Sequence, residues 1–206
     1  VEDLPNFVRA DFWGPENFQR NCISRGLTSI TPQDKLMVSD IDEIPDPIAI
    51  VQNLNSNIHL AMVQKLFYYH VNCLQNQLWR GSILTNYNPS VTPQQLRHSG
   101  RGMPNAAPGV TEVVQDGGWH YSFMGGPEKV RCKIENIAES HLIIDKIGDI
   151  ESIKNKINTQ QDLWDRTNDY AKKKIIDIKS KGMAPECIGD FIKKYPHFYF
   201  GEYEYE

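Results

Sequence analysis

The chain has 206 residues, 40% of them apolar, and a net charge of −4 from 22 Lys and Arg against 26 Asp and Glu. A chain of this size buries roughly 70% of the surface it exposes when unfolded, so a core forms without disulfide or metal staples, and the mini-protein and disordered classes are excluded. With a pI near 5.9 and lysines concentrated in the last third, no basic face follows a phosphate backbone, which argues against a nucleic-acid partner. No stretch approaches the ~20 apolar residues that span a bilayer. Val1-Glu2-Asp3-Leu4-Pro5 does not read as a signal peptide. As written, the chain is expected to be cytoplasmic, neither anchored nor exported. Cys22, Cys73, Cys132 and Cys187 lack metal-site spacing and are expected as buried thiols. In Asn88-Pro89-Ser90 the proline blocks the one glycosylation triplet.

In chain order, Gly14-Pro15 opens a helix to Gly26, and Leu36 to Ser39 reads as a short buried strand. Asp46-Pro47 caps a helix through Leu54. His59 to Asn72 and Leu78 to Leu84 are rich in β-branched and aromatic residues and read as strands. Thr92-Pro93 starts a helix ending at Ser99-Gly100. Val110 to Val114 and Trp119 to Met124 read as two strands separated by the turn Gln115-Asp116-Gly117-Gly118. Val130, Ile134, Ile137 and Ala138 mark one face of a helix. From about residue 145 the chain turns helical and Lys/Ile-rich. There, Lys172-Lys173-Lys174 reads as a solvated face, and Gly201 to Glu206 as a tail or edge strand. Strands alternating with helices predict a single α/β domain over 1–206. Its sheet is expected to be mainly parallel and flanked by helices, with a helical C-terminal part over 145–206. Ligands of such sheets bind beyond the carboxyl ends of the strands.

The sharpest local signal is Val38-Ser39-Asp40-Ile41-Asp42-Glu43-Ile44-Pro45, an apolar strand running into three carboxylates. If the strand persists to Asp42, its period of two points Asp40 and Asp42 to one side. Carboxylates without His or Cys suit Mg²⁺ or Mn²⁺, whose remaining coordination is usually shared with phosphate oxygens. An acidic turn after a strand is also commonly just solvated. The second signal is Gly117-Gly118-Trp119-His120-Tyr121-Ser122-Phe123-Met124-Gly125-Gly126-Pro127-Glu128.

Asp-Ile-Asp-Glu-Ile-Pro, Trp79-Arg80-Gly81-Ser82, and this Gly-Gly-Trp-His segment followed by Lys133-Ile134 together resemble glycosyltransferase family 17. Trp13, Glu16, Gln19-Arg20-Asn21 and Asp162-Leu163-Trp164-Asp165-Arg166 extend the likeness over about residues 11 to 166. The resemblance implies a GT-A-like nucleotide-sugar transferase fold whose Asp-x-Asp holds Mn²⁺ or Mg²⁺ against a diphosphate. It implies inverting transfer of N-acetylglucosamine from UDP-N-acetylglucosamine to a glycan or glycoprotein. By the same likeness Asp40 faces ribose and metal, and Asp42 ligates the metal. Members carry an additional N-terminal stretch with no counterpart here, so a domain lacking an N-terminal portion is implied and no uracil contacts are assigned. For a fragment of a eukaryotic member the compartment implied is the Golgi lumen. Relatives read His-x-Glu where this chain has Glu139-Ser140-His141, which receive no role.

Inversion needs a carboxylate base for the attacking hydroxyl. Glu128 is the candidate, placed after Gly125-Gly126-Pro127 in the first turn of a helix, where acids also occur simply as helix-starting residues. Glu43 and Asp116 are the reserves. Adjacent strand residues face opposite ways, so only one of Trp119 and His120, and only one of Trp79 and Arg80, points at a ligand. Arg20 is a partner for a carboxylate or phosphate, or else a surface ion pair. Two other readings stay open: a non-catalytic glycan-binding module of the same fold, and a metal-dependent phosphohydrolase with Asp40 as nucleophile.

Overall fold

The protein, here a computed structural model, is described over residues 5–7, 11–138 and 140–204, with only the backbone at 141 and 142. Helix α1 (Gly14–Asn21) passes into a 3₁₀ turn over Cys22–Gly26. Strand β1 (Lys35–Val38) is followed by a turn and then by β2 (Glu43–Pro45). Helix α2 (Pro47–Gln52) starts where Asp46 Oδ1 accepts from the Ile48 N–H at 2.9 Å and Pro47 presets φ. Strands β3 (His59–Tyr68) and β4 (Cys73–Asn86) form an antiparallel hairpin. Helix α3 (Pro93–Arg101) carries a capping box between Thr92 and Gln95 and ends on Gly102 at φ 65°. Then come β5 (Thr111–Ser122), α4 (Pro127–Asn136), α5 (Ser140–Ile147), α6 (Ile150–Asn158), β6 (Lys173–Ile175) and α7 (Ile188–Lys194).

The sheet is mixed rather than mainly parallel. Its order is β1-β4-β3-β5-β2 with β6 also on β4, and among these pairings β3–β5 alone is parallel. Alternating strands and helices suggested crossovers, but the four residues between β3 and β4 allow only a hairpin, and β1, β2 and β6 each add antiparallel to an edge. Strand β4 starts at Cys73, ahead of the expected Leu78, because its polar beginning is satisfied from outside the strand. Gln75 Nε2 donates to the Tyr170 carbonyl at 3.0 Å and Asn76 Nδ2 to that of Asp169 at 3.1 Å.

The expected turn at Gln115–Gly118 is instead a bulge within the continuous β5, where the register against β3 shifts between Met62 and Gln64. Asp116 at φ 50° and Gly118 at φ 135° absorb the kink. A side chain at Gly118 would run into the Ile44 carbonyl, so β2 lies against β5 only because this position is glycine.

Ile83 and Leu84 are adjacent in β4 and so serve opposite faces of the sheet. Ile83 packs with Leu36, Val38 and Leu96 of α3, and Leu84 with Leu60, Met62 and Ile50 of α2. The largest cluster joins Leu66, Tyr68 and Tyr69 to Val130 and Ile134 of α4 and to Ile153 and Ile157 of α6. The C-terminal segment clasps the β3–β4 hairpin. Asn72 Nδ2 donates to the Phe200 carbonyl at 3.1 Å, and the Phe200 N–H returns to Asn72 Oδ1 at 3.0 Å. All four cysteines are free thiols, but only Cys73 is buried; Cys132 and Cys187 are exposed and Cys22 is half-buried. Burial pushes the Cys73 thiol up to about 11.

In the lysine run at 172–174, Lys172 and Lys174 are exposed as expected, but Lys173 is not. Lys173 lies in β6 with a fully buried side chain that donates to Asp162 Oδ1 at 3.2 Å, and its ammonium stands 5.2 Å from the Tyr68 ring. Arg166 reaches the same carboxylate through Nε at 3.0 Å and Nη2 at 2.8 Å. Burial alone would raise the Asp162 pKa, but the Arg166 hydrogen bonds and the Lys173 charge outweigh it and hold the carboxyl at about 2. A depressed folded-state pKa stabilises above the unfolded value of about 3.9, and that contribution is lost as pH falls toward 2. Asp162→Asn should cost about 3–5 kcal/mol near neutral pH by stranding buried Lys173. In urea melts, the gap from wild type should narrow between about pH 4 and pH 2.

Candidate functional site

Strand β1 ends at Val38, so Asp40 and Asp42 occupy a turn and not a strand face, and Glu43 opens β2. The turn carries the chain from the β4 edge of the sheet to the β5 edge, passing against β4, where Ser39 Oγ meets Ser82 Oγ at 2.7 Å. The side chain of Glu43 is fully buried. Its carboxylate accepts from Arg97 Nη1 at 3.0 Å, Ser82 Oγ at 2.9 Å, the Asp40 N–H at 3.2 Å and the Trp79 indole. Burial of the group favours protonation, but the Arg97 charge and these donors outweigh it and keep the carboxyl below its usual range. With every lone pair engaged, Glu43 anchors the turn and is not free to take a proton. The space it fills exists because residue 81 is glycine: a Cβ there would overlap both the carboxylate and the Arg97 guanidinium.

Asp40 and Asp42 take different partners. Asp40 is held by Arg20 Nη2 at 3.1 Å and by Arg97. Asp42 Oδ2 accepts from Lys133 Nζ at 2.6 Å and lies 3.3 Å from His120 Nε2. Burial opposes ionisation of Asp42, yet the His120 hydrogen bond and the Lys133 charge hold its pKa well below the usual carboxylate range. Both carboxylates are partly exposed, 32% for Asp40 and 24% for Asp42, so each is open to a ligand.

Strand parity separates the paired candidates. His120 faces the acidic turn, and its ring lies 4.6 Å from that of Trp79. Trp119 is buried on the other side, with Nε1 3.4 Å from the Gly182 carbonyl. Trp79 turns toward Glu43, and Arg80 is exposed away from it. Arg20 bridges Glu16 at 2.9 Å and Asp40. Glu128 lies exposed in the first turn of α4, without a hydrogen bond or ion pair among the described residues. Asp116 pairs with Lys65 in the β5 bulge and touches none of the acidic turn. Glu139 lies outside the described residues.

Sequence reasoning alone gives no site role to Arg97, Arg101 or Lys133. Gln94, Arg97, His98 and Arg101 recur at i, i+3, i+4 and i+7 along α3, and that spacing puts them on one face. Arg101 lies 4.5 Å over the Trp79 ring, and burial beside the Arg97 charge lowers its pKa. Together these groups ring the acidic turn with cations, an arrangement able to receive a phosphorylated ligand beside carboxylates.

The sequence model of glycosyltransferase family 17 matches residues 5–184, and the chain belongs to that family. Comparison with curated proteins and with solved structures found no match. No helix among the described residues is long and apolar enough to cross a membrane.

Gly81→Ala should lower stability by about 3 kcal/mol or more by driving Glu43 and Arg97 from their buried pairing. Gly26→Ala, where a Cβ meets nothing within 4 Å, should be nearly neutral. Urea denaturation of the two variants side by side checks the difference.

Proposed function

We propose that this member of glycosyltransferase family 17 is an inverting, metal-dependent transferase that moves N-acetylglucosamine from UDP-N-acetylglucosamine to a hydroxyl of a glycan. The observation that carries the reading is the acidic turn, with the partly exposed carboxylates of Asp40 and Asp42 ringed by Arg20, Arg97, Lys133 and His120. Among the described residues no group of three or more His, Cys, Asp or Glu side chains gathers into a metal site. Mg²⁺ and Mn²⁺ suit the acidic turn, since they are commonly held by one or two carboxylates. The carboxylates of Asp40 and Asp42 are both hard and accessible but face different partners, so Asp42 would hold such an ion and Asp40 would join it only on leaving Arg20 and Arg97. Bound there, the cation supplies positive charge to a departing diphosphate.

The chain's own groups do the rest. Lys133 and the arginines balance the acidic turn and offer N–H donors to phosphate oxygens as charge develops on them. Trp79 and His120 form an aromatic wall beside the turn, which orients a sugar and excludes water. Glu128 takes the proton of the acceptor hydroxyl. The acceptor oxygen bonds to the anomeric carbon, and the bond from that carbon to the phosphate oxygen breaks with its electron pair leaving on the diphosphate. Glu128 suits this role because Glu43 is saturated with donors and Asp116 is paired with Lys65.

The direct test is incubation with UDP-N-acetylglucosamine, Mn²⁺ and a panel of glycans, following UDP release and the sugar product. Transfer that depends on acceptor supports the reading, and acceptor-independent release of phosphate or no turnover on any acceptor overturns it. Glu128→Gln should keep UDP binding while turnover falls by about 10²–10⁴-fold. For the metal, wild type with UDP should melt higher when Mn²⁺ is added, by the linkage between binding and folding. Asp42→Asn should abolish that rise; an unchanged shift removes Asp42 from the metal site.

A further inference from the structure

Helices α1 and α3 enclose a cleft of about 320 Å³ beside the acidic turn, within the range of roughly 300–1,000 Å³ common for small-molecule sites. It has two kinds of surface. Trp13 and Met103, each 44% exposed, are apolar, whereas Arg20, Arg97 and Arg101 are cationic. Three carboxylates stand near them, and each is engaged: Arg20 holds Glu16 and Asp40, and Arg97 holds Asp40 and Glu43. Arg101 has no hydrogen bond or ion pair among the described residues, and its guanidinium carbon lies 4.5 Å from the centroid of the Trp79 ring.

Two residues that line the cleft also bury a donor without a partner among the described residues. Arg97 Nε is buried without a partner among the described residues. Gln94 Oε1 accepts from Arg20, so Gln94 Nε2 donates to His98 Nε2 at 2.7 Å. That bond assigns the His98 proton to Nδ1, which is buried and unpartnered as well. A cleft with an unpaired guanidinium at Arg101, engaged acids and an exposed indole asks for a ligand that joins a flat ring to an acceptor-rich anion.

We propose that this cleft binds a nucleoside diphosphate, the base on Trp13 and the phosphates on Arg101. The proposal rests on the transferase reading and places its donor on α1 and α3. A guanidinium already placed over an indole ring loses little freedom when it grips a phosphate in two-point fashion.

The test is isothermal calorimetry in EDTA, so that no metal takes part, with UDP, pyrophosphate and uridine as probes. Arg101→Gln should weaken UDP and pyrophosphate by about tenfold or more and leave uridine unchanged. Trp13→Ala should weaken UDP and uridine and leave pyrophosphate unchanged. Arg101→Lys, which keeps the charge but not the fork, should fall between wild type and Arg101→Gln for pyrophosphate and stands in if the glutamine variant melts early. Wild-type affinity of Arg101→Gln for UDP and pyrophosphate overturns the proposal, as does a wild type that binds neither. If no acceptor is glycosylated while Arg101→Gln still loses pyrophosphate, the cleft stands and the transferase reading falls. If transfer proceeds while Arg101→Gln binds pyrophosphate as wild type does, the cleft proposal falls and the transferase reading stands.

Discussion

The buried carboxylate of Glu43 organises everything around it. An ion pair removed from water is worth having only when its remaining hydrogen-bonding capacity is filled. Here Arg97, Ser82, Trp79 and the Asp40 backbone fill it from three separate parts of the chain. Helix α3, strand β4 and the turn before β2 are thereby fixed to one another at a single point. Gly81 is the steric condition for that point, and the positions of Asp40, Trp79 and Arg101 follow from it. Losing one partner leaves a charge stranded, so the cluster holds together as a unit.

Around this anchor the candidate site divides into two ends. On the α3 side, arginines dominate, and Asp40 is their counterion. On the α4 side, Asp42 meets a lysine and an imidazole. Trp79 and His120 lie between, one from β4 and one from β5, brought side by side by the strand order and not by sequence. Each end thus offers one accessible carboxylate beside fixed positive charge, a layout that keeps the acids ionised while letting a ligand exchange with the protein's own cations.

Much of this was legible locally. The Asp46 and Thr92 caps, the Val130 and Ile134 face of α4 and the opposite orientations of Trp119 and His120 follow from rules that act over a few residues. What was hidden depends on distant partners. Lys173 reads as solvent-facing until Asp162 and Arg166 are known to meet it. Gln75 and Asn76 look unlike strand residues until the carbonyls of Tyr170 and Asp169 are placed beside them. The glycines at 117 and 118 signalled a turn, while the chain uses them to admit Met62 and β2 against a bulge. Arg97 and Arg101 sat on a recognisable polar face of α3, and only the tertiary position of Glu43 distinguishes that face from an ordinary wet one.

The clasp between Asn72 and Phe200 bears on how the molecule is made. Its two hydrogen bonds join residues 128 positions apart, at the tip of the hairpin from which β4 runs toward Trp79. Contacts this remote in sequence form late, since the closure entropy of a long loop is spent before the contact is gained. On the ribosome the strands of the site emerge well before the segment that fastens their hairpin. The nascent chain therefore carries an incompletely tethered sheet until Phe200 has been made, exposed during that interval to the hazards of unpaired strand edges.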